Sequence, residues 1–131
     1  MLRQVEHMVL LLPGVDIIEI SRIRQAIQRW QERFLTRIYT TAELQLYRHR
    51  IESLAARFAA KEAVMKALSA QENDIAWREI EILSDPRGKP VLHLYGKALQ
   101  RAQELGLSGL EVSLSHSREN AIALVIGVRE R

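Results

Sequence analysis

The chain has no cysteine, which excludes disulfides and thiolate-bound metals and leaves oxygen and nitrogen as the only ligands for any metal. The same absence is compatible with a reducing cytosol. Aromatic residues are few, two Trp, three Tyr and two Phe among 131 residues, and no stacking motif or clustered Lys/Arg run accompanies them. This argues against a module that binds nucleic acid by stacking and charge. Proline (3) and glycine (6) are scarce too, and there is no Pro/Gly/Ser linker, internal repeat or low-complexity tract. Residues 1–131 therefore read as one domain, with only the first half-dozen and the last few residues expected to be disordered. The longest early apolar run, Met8 to Leu12, is far too short to span a bilayer and no small-residue cleavage site follows it. A cytoplasmic location without membrane association is expected.

What is present is globular: 47% apolar and 27% charged residues are enough to form a core. The formal net charge of +3 favours an anionic partner, and nucleic acid, phosphate cofactors and acidic proteins all qualify.

Along the chain, Val9 to Ile20 reads as an apolar strand interrupted at Pro13-Gly14. Ser21 is placed to cap a helix whose apolar positions Ile23, Ile27, Trp30 and Phe34 follow the helical period. Thr40 and Glu43 form a capping-box pattern for a short helix. An alanine-rich helix is predicted from about Ser53 to Leu68. Glu79–Leu83 and Pro90–Tyr95 flank the turn residues Asp85-Pro86-Arg87-Gly88, which suggests a hairpin. A helix over Lys97–Leu105 is closed by Gly106, and strands follow at Leu110–Ser115 and Ala121–Arg129. This order points to an α+β domain with a mainly antiparallel sheet packed against a long helix.

Two carboxylates stand out. Glu62 falls about 40° from Phe58 and about 60° from Met65 on a helical wheel, between residues expected to face the core, where a charge needs a partner. An i,i+4 pair with Lys66 would supply one. Asp16 sits in the apolar strand Val15-Asp16-Ile17-Ile18, on the face of Ile18 and Ile20, and a cap or salt bridge would explain it alone. If the strand packs on the long helix, the two could instead share a hard cation such as Mg²⁺, which takes one or two carboxylates and leaves positions for water and phosphate. Arg57, Lys61 and Lys66 flank Glu62, a mixture suited to a metal with a diphosphate, although for Lys61 alone a solvated charged face is the favoured reading. Ser113, Ser115 and Ser117 line one face of a strand. His116 shares the other with Val112 and Leu114, where a structural role is the simpler one.

Taken in order, these stretches resemble the holo-acyl-carrier-protein synthase family of phosphopantetheinyl transferases. The resemblance is carried by Gly14-Val15-Asp16-Ile17-Ile18-Glu19-Ile20 with Arg22-Ile23, by Phe34 to Glu43, and by Arg57-Phe58-Ala59-Ala60-Lys61-Glu62-Ala63 through Lys66-Ala67-Leu68. Gly88-Lys89-Pro90 and Val112-Ser113-Leu114-Ser115-His116-Ser117 extend it. It implies the α+β phosphopantetheinyl transferase fold and Mg²⁺-dependent transfer of the 4′-phosphopantetheine of coenzyme A to a serine of apo acyl-carrier protein in fatty-acid biosynthesis. It implies Asp16 and Glu62 as metal ligands, and Glu62, Lys66 and His116 as catalytic groups. Arg57, Lys66, Gly88, Lys89, Pro90, Ser115 and His116 become coenzyme A contacts, and Arg22 and Arg37 contacts to the acidic carrier. A homotrimer with active sites between subunits is likewise implied. Two departures are visible: Ser69-Ala70-Gln71-Glu72-Asn73-Asp74 stands where the family has a Gly-Thr-Gly-type turn, and Leu12-Pro13 replaces the first glycine of the opening strand. The competing readings are a basic phosphate- or nucleic-acid-binding module without catalysis, and a structural subunit that would leave Asp16 and Glu62 without a purpose.

Overall fold

A computed structural model describes residues 8–71 and 73–130; the N-terminal residues expected to be disordered, Glu72 of the Ser69–Asp74 loop and the final arginine lie outside them. The elements are β1 (Val9–Glu19), α1 (Ile20–Trp30), α2 (Glu32–Ile38), α3 (Thr41–Tyr47), α4 (Ile51–Ala67), β2 (Ile80–Ser84), β3 (Pro90–Leu94), α5 (Gly96–Glu104), β4 (Gly109–His116) and β5 (Asn120–Glu130). Strands β1, β5 and β4 form one antiparallel sheet in that order, and β2 pairs with β3 as a separate antiparallel hairpin. At the C-terminus strand structure continues to Glu130, beyond the predicted end.

Helix α4 is the axis of the molecule. Ala55, Ala56, Ala59, Ala60, Ala63 and Ala67 are all buried, and their short side chains let the sheet, the hairpin and the N-terminal helices approach the helix backbone from several sides. One core, with Ile80, Ile82 and Val125, surrounds its C-terminal half; a second, with Ile23, Leu35, Tyr39 and Leu54, surrounds its N-terminal half.

Three local expectations are corrected. Strand β1 runs unbroken through Pro13 and Gly14, in one-to-one register with β5; an edge strand tolerates proline because its outer side needs no donor. The helix predicted across Ile23, Ile27, Trp30 and Phe34 divides at Gln31, where φ is 50° and ψ −127°, and this turns Trp30 outward, 47% exposed. Ser21 does not cap α1: the helix begins at Ile20, whose N–H is taken by the Glu119 carbonyl at 2.8 Å.

The capping box at α3 forms as predicted, with Thr40 Oγ1 accepting from Glu43 N and Glu43 Oε1 accepting from Thr40 N. The loop after Leu68 closes α4 in a Schellman motif, Ser69 N–H bonding Lys66 O and Ala70 N–H bonding Met65 O. Helix α5 ends in the same motif through Gly106 and Leu107. The left-handed position is glycine in one (φ 72°) and serine in the other (φ 52°), so the turn after Leu68 takes a conformation that favours glycine, at a steric cost to Ser69. Ser69→Gly is expected to raise stability by roughly 0.5–1 kcal/mol, a few degrees in Tm, and Gly106→Ser to lower it comparably. Thermal unfolding of the two variants checks both signs.

Candidate active site

Alternation along β1 turns Gly14, Asp16 and Ile18 inward and Val15 and Ile17 outward. Strand β1 packs on α4 at Gly14: a Cβ there would lie 2.0 Å from the Ala63 carbonyl oxygen and 2.9 Å from Ala67 N. Glycine is needed for this close approach, not for a bend. Two residues on, the Asp16 side chain is 16% exposed and its Oδ1 accepts a hydrogen bond from Lys66 Nζ at 3.0 Å. Lys66 Nζ also donates to the Val15 carbonyl at 3.1 Å. Glu62 lies one helical turn before Lys66 on the same face of α4 and is partly buried. The two carboxylates singled out in sequence thus belong to one locality, with Lys66 bonded to one and a turn away from the other. Among the described residues no group of three His, Asp or Glu side chains gathers. Two carboxylates beside an exposed cation form a hard-oxygen donor set that fits Mg²⁺ with most positions left for phosphate and water.

Phe58 precedes Glu62 by one turn, packs as expected against the core around the N-terminal half of α4, and also lines a surface groove of about 490 Å³. Its ring stacks on Phe34 (6.4 Å between centroids) and on Trp77 (5.0 Å), while Trp30, Arg33 and Arg37 line the groove. Trp30 lies between the guanidinium groups of Arg29 and Arg33, 5.0 and 5.8 Å from its ring centroid.

Beside α4 lies a cavity of about 540 Å³ to which Tyr47, Arg50, Ser53, Arg57, Ser84, Asp85, Gly88 and Pro90 contribute. Arg57 crosses the Tyr47 ring at 3.6 Å, donates from Nε to the Ile82 carbonyl at 2.8 Å and from Nη2 to Ser84 Oγ at 3.1 Å. Asp85 Oδ1 accepts from Arg87 N and Lys89 N, shaping the turn, and Gly88 has φ +87°. Of the predicted coenzyme contacts, the structure brings Arg57, Gly88 and Pro90 into this cavity. Lys89 stands outside it, exposed and 3.4 Å from Glu111. Ser115 and His116 lie at the exposed end of β4, with His116 in solvent beside the Ser117 carbonyl. Arg22 lines a different cavity of about 700 Å³, with Arg24 and Arg118.

Sequence reasoning missed Arg50, Ser53 and Tyr47. The i, i+3, i+7 spacing of Arg50, Ser53 and Arg57 would have placed them on one helical face. It also misread Lys61, which is not on a solvated face: its side chain is 0% exposed and its Nζ donates to Glu43 Oε1 at 2.8 Å, to Trp77 O at 3.2 Å and to Ile80 O. Burial pulls its pKa down, and the Glu43 carboxylate opposes that.

The 4′-phosphopantetheinyl transferase superfamily model matches residues 13–125. The chain is 56% identical over 117 residues to a holo-[acyl-carrier-protein] synthase of Dehalococcoides mccartyi, covering 89% of this chain and 98% of that one. It is 52% identical over 126 residues to the corresponding synthase of Herpetosiphon aurantiacus, covering 91% and 99%. The fold is similar to the crystal structure of Helicobacter pylori holo-[acyl-carrier-protein] synthase in complex with coenzyme A, with TM-score 0.80, 30% identity and 88% and 98% of the chains covered.

Because Gly14 lets β1 reach α4, Gly14→Ala is expected to destabilise at or beyond the upper end of the about 1–3 kcal/mol typical of overpacking. Gly109, whose Cβ would meet nothing within 4 Å, is the control: Gly109→Ala should be near neutral in the same urea titration.

Proposed function

The chain belongs to the 4′-phosphopantetheinyl transferase superfamily, and on that premise we propose that it is a holo-[acyl-carrier-protein] synthase whose residues 1–131 work as a single transferase domain. It moves the 4′-phosphopantetheine of coenzyme A onto a serine of apo acyl-carrier protein and releases adenosine 3′,5′-bisphosphate. The observation that carries this reading is the meeting of Asp16 and Lys66 on the α4 face that bears Glu62, with an arginine-lined cavity on the same helix.

In this reading Asp16 and Glu62 hold Mg²⁺. The ion, when bound, neutralises the diphosphate of coenzyme A. Arg50 and Arg57 present positive charge to the phosphates and adenosine end, and Gly88 and Pro90 form the wall of that cavity. The Lys66 side chain is 56% exposed, so its pairing with Asp16 is weakly held and the ammonium is free to turn to the transferring phosphate. Lys89, Ser115 and His116 act on a coenzyme A bound at a neighbouring subunit, since they stand outside the cavity of their own chain.

The outer face of the sheet supports such an assembly. Val15 and Leu124 are paired in register, as are Ile17 and Ile122, and all four are exposed large hydrophobics. A contiguous apolar patch of this kind marks an interface, and we assign it to a homotrimer. The carrier, being acidic, docks on the basic surfaces that include Arg22 and Arg37; the aromatic groove between Arg33 and Arg37 takes apolar side chains of the same partner. Among the described residues no helix is long and apolar enough to cross a membrane, and we place the reaction in the cytoplasm with its substrates.

Incubation with apo carrier, coenzyme A and Mg²⁺ should add phosphopantetheine to the carrier, read as a mass shift. Asp16→Asn and Glu62→Gln should each slow this by about 10²-fold or more while leaving a folded protein; full activity in either rejects the assignment. Ile17→Asp, on the exposed apolar face, is expected to reduce the mass in sedimentation equilibrium from three times the chain mass to one.

A further inference from the structure

Among the described residues strand β2 has a neighbouring strand on one edge only. Along the other edge its polar groups are met by side chains of two helices. Lys61 Nζ donates to Ile80 O, Glu43 Oε2 accepts from Ile82 N at 2.8 Å, and Arg57 Nε donates to Ile82 O at 2.8 Å. The spacing makes this possible: residues four apart on a helix rise about 6 Å, and residues two apart on a strand advance about 6.6–6.8 Å. Arg57 and Lys61 therefore reach alternate carbonyls of β2 as two rungs, and Glu43 accepts from the Ile82 N–H between them.

The hairpin so held carries Ser84, Gly88 and Pro90 of the arginine-lined cavity. The helix that holds it carries Glu62, the next residue after Lys61. Lys61 lines no described cavity and has no exposed surface, so it touches no substrate. Simple packing does not require it, because a buried ion pair can be replaced by apolar side chains of similar volume with little loss of stability. An apolar contact, however, would not fix where β2 sits along the helix, as charge-assisted bonds to particular carbonyls do.

We infer that the buried Lys61–Glu43 pair is a positioning device for coenzyme A: it sets the height of the β2–β3 hairpin along α4, and hence the separation between the adenosine-end cavity and the Asp16/Glu62 face. This rests on the function proposed above. Lys61 and Glu43 are positioning residues, acting through the hairpin.

The test compares Lys61→Met with Leu35→Ala, which removes core packing in α2 and leaves the β2 edge bonds in place. Each is titrated with coenzyme A by calorimetry below its melting temperature, and steady-state KM is measured for both substrates. Lys61→Met is expected to weaken coenzyme A binding by about tenfold or more and to raise the coenzyme A KM in proportion, with the carrier KM little changed. Leu35→Ala should bind coenzyme A as the parent does. If Lys61→Met does not fold, Glu43→Gln, which keeps the volume and loses an acceptor, takes its place with the same expectation. Unchanged coenzyme A affinity in the folded variant, or an equal loss in Leu35→Ala, overturns the positioning role. A parent protein that fails to bind coenzyme A overturns the functional reading itself, and this inference with it.

Discussion

The candidate site depends on how closely one strand can lie against one helix. Backbone meets backbone where Gly14 faces Ala63 and Ala67, and only side chains reduced to a hydrogen or a methyl allow it. That contact brings the inward face of β1 to α4, so that Asp16 lies within hydrogen-bonding distance of Lys66. Without this approach Asp16 would be a charge inside an apolar strand with no cation to meet it. Packing geometry, set by glycine and alanine, thus comes before the electrostatics of the site.

The opposite side of α4 solves a different problem. A two-stranded hairpin leaves one edge of β2 with unmet donors and acceptors, and burying such an edge is costly unless each group finds a partner. Here Lys61, Glu43 and Arg57 supply those partners. Two further hydroxyls join: Thr40 Oγ1 donates to Glu81 Oε2 at 2.6 Å, and Tyr95 to Glu81 Oε1 at 3.0 Å. The hairpin is thereby fixed to the helix by directional bonds and not by apolar contact alone.

What the sequence made legible was local. The capping box at Thr40 and Glu43, the hairpin around Asp85 to Gly88, the glycine stop at Gly106 and the inward position of Asp16 each follow from residues within a few places of one another. What it hid was tertiary. Pro13-Gly14 looks like a bend until a helix is laid against it and the missing Cβ becomes the point. Lys61 looks solvated because its partners, Glu43 and the Ile80 carbonyl, are 18 and 19 residues away. Gln31 carries no residue-type signal for a break, yet its φ is 50°, and this interrupts the helical period across Trp30 and Phe34. The resemblance singled out Arg57 and Gly88, which the structure brings to one cavity, but could not say that Ser115 and His116 would stand apart from that cavity in their own chain.

The two lysines on either side of Glu62 show why residue type alone does not assign a role. They are five positions apart, about 140° around the helix; Lys66 is bonded to Asp16 and Lys61 to Glu43. Lys66 is half in solvent, where an ion pair is worth at most about 1 kcal/mol, so leaving Asp16 costs little and the ammonium remains mobile. Lys61 has no solvent to return to. Removing its partner would strand a charge in the interior, typically at a cost of about 3–5 kcal/mol, and that penalty is what holds it in place. Glu62 therefore stands between a cation that can move and one that cannot. The same residue type on one helix is thus a mobile surface group at one position and part of the frame that seats the β2–β3 hairpin at another.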